Sequence, residues 1–195
     1  DWRNGVSHVG EIPASLIEET TGGVANWAIP VDLNSTLMDE PWDLIVNIGH
    51  VVPHEVLGFA NHNKNYFIGL GGKETICASH IAAAVYGIEN NLGCLVTPLR
   101  ACYNHAEETL LEHLPDVYFQ IVMQRDSQNH LVTSGIFVGD DLETYLQAAR
   151  RSREQNITIF DKPVRKMVAV MQADEFRATW VANKAVYLTR MAIAD

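Results

Sequence analysis

The sequence predicts an α/β fold, a three-layer, sandwich-like arrangement around a mixed, mostly parallel sheet with one β-hairpin. Three observations lead there. Residues 43–49, Asp-Leu-Ile-Val-Asn-Ile-Gly, are a short β-branched apolar run closed by glycine, the pattern of a buried strand. From residue 75 the pattern changes to a helical run of small residues. Two apolar runs, 118–124 and 131–138, flank Asp126-Ser127-Gln128-Asn129, a strong hairpin signal. Helices alternating with apolar strands in this way call for a sheet with helices packed on it.

Taken in order, residues 1–23 carry turn-forming glycine and proline, and 16–20 are too short to assign. Gly22-Gly23 marks a turn, and residues 24–33 alternate as a strand whose Pro30 suits an edge. Residues 34–40 read as a short helix capped by Asn34 or Ser35, followed by the 43–49 strand. The helix from residue 75 should end near Asn90-Asn91, with Gly93 as its stop. A second helix is expected over 100–114, ahead of Pro115. After the hairpin, Asp140 or Asp141 caps a helix to about residue 155, whose Arg150, Arg151 and Arg153 suit the negative end of the dipole. Residues 157–160 and 166–171 read as further strands and 174–194 as a last helix. The expected organisation is a main domain over 1–162 and a strand plus helix over 163–195 leading toward a hinge or second domain.

A chain of 195 residues with 47% apolar content can bury one sizeable core. Its net charge of −10 argues against nucleic acid or an anionic membrane as partner, since both require a basic face. It leaves room for a small anionic ligand, because a few local cations such as Lys64, Lys73 and Lys184 can set the potential of one cleft. No apolar run has the length of a membrane span. Three cysteines, Cys77, Cys94 and Cys102, are an odd and sparse set that fits a reducing cytoplasm.

Residues 49–80 concentrate the chemistry. They hold four of the eight histidines, five of the thirteen glycines, and a lysine among asparagines. Polar groups of this kind are costly to bury unless each is paired, so their crowding marks a site. The strand at 43–49 would deliver His50 and His54 at its carboxyl end, where open α/β sheets bind ligands.

Pro53-His54, Gly58-Phe59, Lys64 and His80, with ten residues from His54 to Lys64 and sixteen from Lys64 to His80, resemble the signature of the nickel-dependent lactate racemase family. The resemblance implies a nickel-pincer nucleotide as cofactor, a nickel complex of a pyridinium bisthiocarboxylic acid mononucleotide. It gives His54 the role of one of two acid–base histidines, Lys64 that of holding the cofactor through a thioamide, and His80 that of protein ligand to nickel. It also implies a partner histidine upstream of Asp1 and a substrate-contacting lysine that falls at Lys184. Asp1-Trp2-Arg3-Asn4 looks like another family landmark, and the absence of an initiating methionine fits a piece of a longer chain whose other parts complete the site. Residue chemistry agrees with these roles. An imidazole suits the open corner of square-planar nickel, a lysine joins a thiocarboxyl group only as the free amine, and histidine titrates where an alternating acid and base must. Many members carry a Ser-Gly-Gly run before the lysine, whereas this chain has Ala60-Asn61-His62-Asn63, the mark of a divergent branch.

The implied activity is racemisation or epimerisation of a 2-hydroxy acid. A sugar-acid epimerase or oxidoreductase stands beside it, because Asn61, His62, Asn63 and Asn65 could meet a hydroxylated substrate, and so does a nickel- or nucleotide-binding module without turnover. Cys77-x-x-His80 has the spacing of half a zinc site, but a structural site needs four ligands and no second pair exists. Gly69-Leu70-Gly71-Gly72-Lys73-Glu74-Thr75 lacks the spacing of either standard phosphate loop, and its glycines could equally serve packing.

Overall fold

The computed structural model describes residues 5–171, 177–178 and 182–193. The chain divides into two compact units, Asp1–Ile157 and Thr158–Asp195.

The first unit opens with β1 (Val6–Ile12), α1 (Ala14–Thr21) and β2 (Ile29–Asn34), the two strands pairing antiparallel with a bulge between His8 and Gly10. Both β1 and α1 go beyond the expected turn-rich segment. What ends α1 is the Gly22-Gly23 pair: Gly22 takes φ 65°, and the two amides close on the carbonyls of Glu19 and Glu18. The short helix α2 (Ser35–Asp39) follows, with the Asn34 side chain accepting from the Thr36 amide as its cap.

Strand β3 (Ile45–His50) lies parallel to β6 (Asp116–Arg125), which pairs antiparallel with β7 (Leu131–Gly139) through the expected hairpin. Between them in sequence lie β4 (Pro53–His54) and β5 (Gly58–Phe59), a minimal antiparallel pair, then a π-helical turn, Asn65–Gly69, and α3 (Lys73–Tyr86). Gly87, at φ 106°, breaks α3 before the short α4 (Ile88–Asn91), earlier than the sequence pattern indicates. Helix α5 (Pro98–Leu110) begins with Thr97 as cap and Pro98 in its first turn; α6 (Leu142–Asn156) is capped by Asp141, whose carboxylate accepts from the Thr144 amide. The α/β class, the mixed sheet and the hairpin are as expected. Among the described residues the pairing is divided over three small sheets, and β3 on β6 is the one ladder of named strands that runs parallel.

Two apolar cores result. The larger joins β1, β2, α1, α3 and α5 around Ile17, Leu33, Leu57, Phe67, Leu99 and Tyr103; the smaller seats α6 through Tyr145, Ala148 and Ala149 against Val51, Phe59 and Val122. The opposite face of the three-stranded sheet leaves Val46, Ile48, Ile136 and Val138 exposed.

In the second unit an isolated parallel bridge joins Val164 and Ile193, and α7 (Lys184–Arg190) precedes it. Residues 157–160 and 166–171 do not form strands, contrary to expectation; Val168 and Val170 are exposed and, among the described residues, find no neighbouring strand to complete a ladder. Of the expected 174–194 helix, residues 174–176, 179–181 and 194 lie outside the described residues, and the described part includes the helix Lys184–Arg190.

Gly58 shows how tightly the segment joining the two cores is packed. It has φ 76°, and a Cβ there would stand 1.9 Å from the Cys94 carbonyl oxygen. Gly58→Ala is expected to destabilise the protein by about 2 kcal/mol or more, combining a disallowed backbone region with a clash against main chain. Urea unfolding reads this as a lower midpoint at unchanged slope, and an unchanged midpoint contradicts the packing described.

Candidate functional site

His54 sits on β4 opposite Gly58, half-buried. The Val56 amide donates to its Nδ1 at 3.2 Å, and Nε2 lies 3.9 Å from Glu55 Oε2. Because Nδ1 accepts, the neutral ring carries its proton on Nε2.

Lys64 is delivered by the loop after β5. Asn61 and His62 are both left-handed, with φ 68° and 57°, a conformation uncommon for residues other than glycine. Asn63 follows with 0% exposure, and Lys64 begins the π-helical turn, in which the Leu70 amide reaches back to Asn65 O at 2.9 Å. The loop is held from below by Arg100, 2% exposed, on α5. Its guanidinium donates to Phe59 O at 2.7 Å, to Asn61 O at 3.4 and 3.5 Å, and to the Asn63 side-chain oxygen, and it stacks 4.3 Å over the Tyr145 ring. Asn63 Nδ2 donates in turn to Asn104 Oδ1 at 2.8 Å and Glu107 Oε2 at 2.9 Å. On the other side of Lys64, Asn65 Nδ2 donates to Asn47 Oδ1 and Asn61 Oδ1, both at 2.6 Å. Asn61 closes the set by donating to Gly49 O and Gln120 Oε1. This corrects one expectation: the asparagine-rich loop does not present Asn61, His62 and Asn63 to a substrate, because all three side chains are buried, those of the two asparagines hydrogen-bonded within the fold.

His80 lies within α3, half-buried, with Nδ1 donating to the Ile76 carbonyl at 2.7 Å. That bond fixes the tautomer and leaves the lone pair on Nε2, the arrangement typical of a metal-bound imidazole. Helix α3 packs against the π-helical turn, and Phe67 of the turn shares one core with Ala82 and Ala83 of the helix and with Val56 and Leu57 beside His54. The segments that carry His54, Lys64 and His80 are therefore anchored in the same core. Among the described residues no three of histidine, cysteine, aspartate and glutamate converge as a metal site. An imidazole nitrogen is a donor type that suits nickel.

The other candidates are dispersed. Lys184 opens α7 in the second unit, and Val181 before it lies outside the described residues, as do Asp1-Trp2-Arg3-Asn4. His50 ends β3, exposed. Lys73 is exposed at the start of α3, with Glu74 3.7 Å away. The glycines before it serve packing: a Cβ on Gly71 would meet Phe67 O at 2.0 Å, and the Gly72 amide donates to Asp32 O at 2.7 Å. A shallow cavity of about 330 Å³ between Leu37, Trp42, Leu44 and Leu70 includes none of the three signature residues. No helix among the described residues is long and apolar enough to cross a membrane. Sequence reading missed Arg100, although an arginine in the first turn of a helix, against the dipole, was a signal.

Residues 20–91 match the family model of the lactate racemase N-terminal domain. No curated protein sequence matches the chain. A crystal structure of a Thermotoga maritima protein from a structural genomics programme is similar over 94% of this chain and 44% of its own, with 28% identity and a TM-score of 0.76. The lactate racemase apoprotein of Thermoanaerobacterium thermosaccharolyticum shares the fold, with 20% identity and a TM-score of 0.56 over 77% of this chain and 31% of its own. The resemblance to the lactate racemase family is thus borne out, and the chain spans less than half the length of the solved structures it matches.

Charge in the loop is arranged by burial. His62, 2% exposed, stacks on Tyr118 at 4.2 Å, and neither ring nitrogen has a hydrogen-bond partner among the described residues. Burial first, then the Arg100 charge, lowers its pKa from 6.5 to about 3, so the ring is neutral near pH 7. Burial raises the Glu107 carboxyl above the ordinary range, against the lowering effect of its bonds from Tyr118 and Asn63. The two have opposite consequences. The unfolded chain protonates His62 near pH 6.5 and the folded chain only near 3, so this residue's contribution is fully present above pH 6.5 and is withdrawn as the pH falls. Glu107, held more protonated in the folded state, contributes at low pH and loses that contribution as the pH rises through its raised pKa. In His62→Asn, which tolerates the left-handed backbone, the slope of unfolding free energy on pH between about 6 and about 4 is expected to fall by roughly 1.4 kcal/mol per pH unit. Urea unfolding in half-unit steps measures it; a variant slope equal to that of the unsubstituted protein contradicts a neutral buried His62.

Proposed function

We propose that this chain, matched over residues 20–91 by the lactate racemase N-terminal domain, works as a racemase or epimerase of a 2-hydroxy acid with a nickel-pincer nucleotide held by Lys64 and His80. The observation that supports this best is the His80 ring. Its Nδ1 is committed to the Ile76 carbonyl on a helix packed against the π-helical turn that follows Lys64, which directs a metal toward Nε2. When bound, the pincer group supplies a transient hydride acceptor.

The remaining work falls to the chain's own residues. His54 exchanges the proton of the substrate hydroxyl at Nε2. In the observed state that atom bears the proton, so taking one up requires the ring to pass to the Nδ1–H tautomer and release the Val56 amide. His54 thus donates to an oxygen as it stands and accepts from one only after giving up that bond. Inversion of the carbon requires a proton carrier on each face, and the second comes from another part of the full protein. Lys184 is assigned to the substrate carboxylate on the logic of charge. The exposed thiol of Cys77 suits a reducing compartment, and we place the reaction in the cytoplasm.

Co-expression with the enzymes that make the cofactor tests the reading. The protein is expected to gain intact mass that is absent from Lys64→Ala, to lose bound nickel in His80→Ala, and to lose interconversion of 2-hydroxy acid enantiomers by about 10²–10⁴-fold in His54→Ala. Nickel bound through His80 with no enantiomer interconverted would favour a binding module instead. If nickel is absent and Lys64→Ala changes neither mass nor activity, the proposal is wrong.

A further inference from the structure

We infer that Arg100 is the positioning residue for Lys64: its guanidinium fixes the path of residues 59–63 so that the lysine leaves the fold in one direction. The inference rests on the reading of Lys64 as the point of cofactor attachment.

Three observations converge on this. The first is what Arg100 touches. Of the five residues that precede Lys64, it binds the carbonyls of Phe59 and Asn61 and the side-chain oxygen of Asn63. It does so from a helix that begins more than thirty residues later, so these are tertiary bonds that no local turn would make. A planar fork of donors can hold several oxygens at once, and an ammonium cannot reproduce that geometry.

The second is strain. Asn61 and His62 are consecutive left-handed residues, and such backbone persists only where the surroundings over-determine it. Arg100 supplies that determination at the Asn61 carbonyl, while the Asn61 side chain is fixed by Gly49 O and Gln120. The third is symmetry about the lysine. Asn63 on one side is held by Arg100, Asn104 and Glu107, and Asn65 on the other by Asn47 and Asn61. The chain then enters a π-helical turn, a rare conformation found disproportionately at functional sites. A buried cation, a strained pair and a π-turn meeting at one lysine exceed what packing alone requires.

The test compares Arg100→Lys, which keeps the charge and loses the fork, with Asn63→Ala, which removes one of the oxygens that the fork holds. Ile17→Ala, in α1, serves as a destabilised control. All are co-expressed with the cofactor-making enzymes, and Lys64 occupancy is read by peptide mass. Amide hydrogen exchange of Asn65, Tyr66 and Phe67, whose amides bond to His62 O and Asn63 O, reports the loop itself. Arg100→Lys and Asn63→Ala are expected to lose occupancy at least tenfold and to lose protection at these three amides, while the control keeps both. Full occupancy and protection in Arg100→Lys overturns the inference. Should that variant fail to fold, Asn63→Ala decides: full occupancy and protection there overturns it equally. Absence of any Lys64 adduct in the unsubstituted protein instead sinks the reading of Lys64, and the inference with it, a result distinct from an adduct indifferent to Arg100.

Discussion

Arg100, with 2% of its surface exposed, needs acceptors for its buried guanidinium; its two terminal nitrogens find theirs in the segment running from Phe59 to Asn63, while Nε has none among the described residues. Burying a charge costs several kcal/mol unless hydrogen bonds replace its water, and hydrogen bonds to a charged group contribute roughly 1.5–3 kcal/mol each. The cost therefore falls on any rearrangement of the loop, because moving Asn61 or Asn63 away would leave the charge uncompensated. Balancing negative charge arrives through a neutral intermediary. Asn63 accepts from Arg100 and donates to Glu107, and the Tyr118 hydroxyl donates to the same carboxylate. Cation, amide, carboxylate and phenol form one buried chain that ties α5 to β6 and fixes the loop above both.

The segment so fixed connects the two cores. Val51 and Phe59 belong to the smaller, while Val56, Leu57, Tyr66 and Phe67 belong to the larger. Alternation between cores accounts for the short, irregular elements of residues 51–69. A regular strand or helix would commit the chain to one side, whereas a two-residue strand pair, a left-handed pair and a π-turn let it cross. Gly58 is part of the same economy of space, since the Cys94 carbonyl occupies the place of its Cβ. The π-turn closes against β2, where the Asn34 amide bonds Leu70 O. Lys64 lies on the last of these crossings, between Phe59 of the smaller core and Tyr66 of the larger.

What could be read from the sequence was whatever depended on local pattern. The β3 run, the hairpin at 126–129 and the Asn34 and Asp141 caps are all short-range features, and the structure carries the elements they announce. What escaped depended on partners. β1 and α1 look like turn-rich sequence because their apolar residues are few, and they form against β2 and α5. The runs at 157–160 and 166–171 have strand composition but, among the described residues, no strand beside them. The asparagines around Lys64 looked like contacts for a hydroxylated substrate until burial showed them bound to Arg100, Asn47 and Glu107. Even the departure from the expected Ser-Gly-Gly run has a physical reading. Asn61 and His62 occupy left-handed backbone that glycine would adopt without strain, and long-range bonds hold it here without glycine.

The same dependence on partners separates the two signature histidines, which composition alone leaves equivalent. In His80 the neighbour of Nδ1 is a carbonyl, which can only accept, so the proton sits on Nδ1 and the lone pair on Nε2. In His54 the neighbour of Nδ1 is an amide, which can only donate, so the lone pair sits on Nδ1 and the proton on Nε2. One ring therefore offers Nε2 as a donor of electrons and the other as a donor of a proton, before any cofactor or substrate is considered. The division is set by two backbone groups, Ile76 O and Val56 N, each within four residues of its histidine. It survives side-chain substitution around the site as long as α3 and the β4–β5 turn keep their shape, which returns the chemistry of both rings to the fold that presents them.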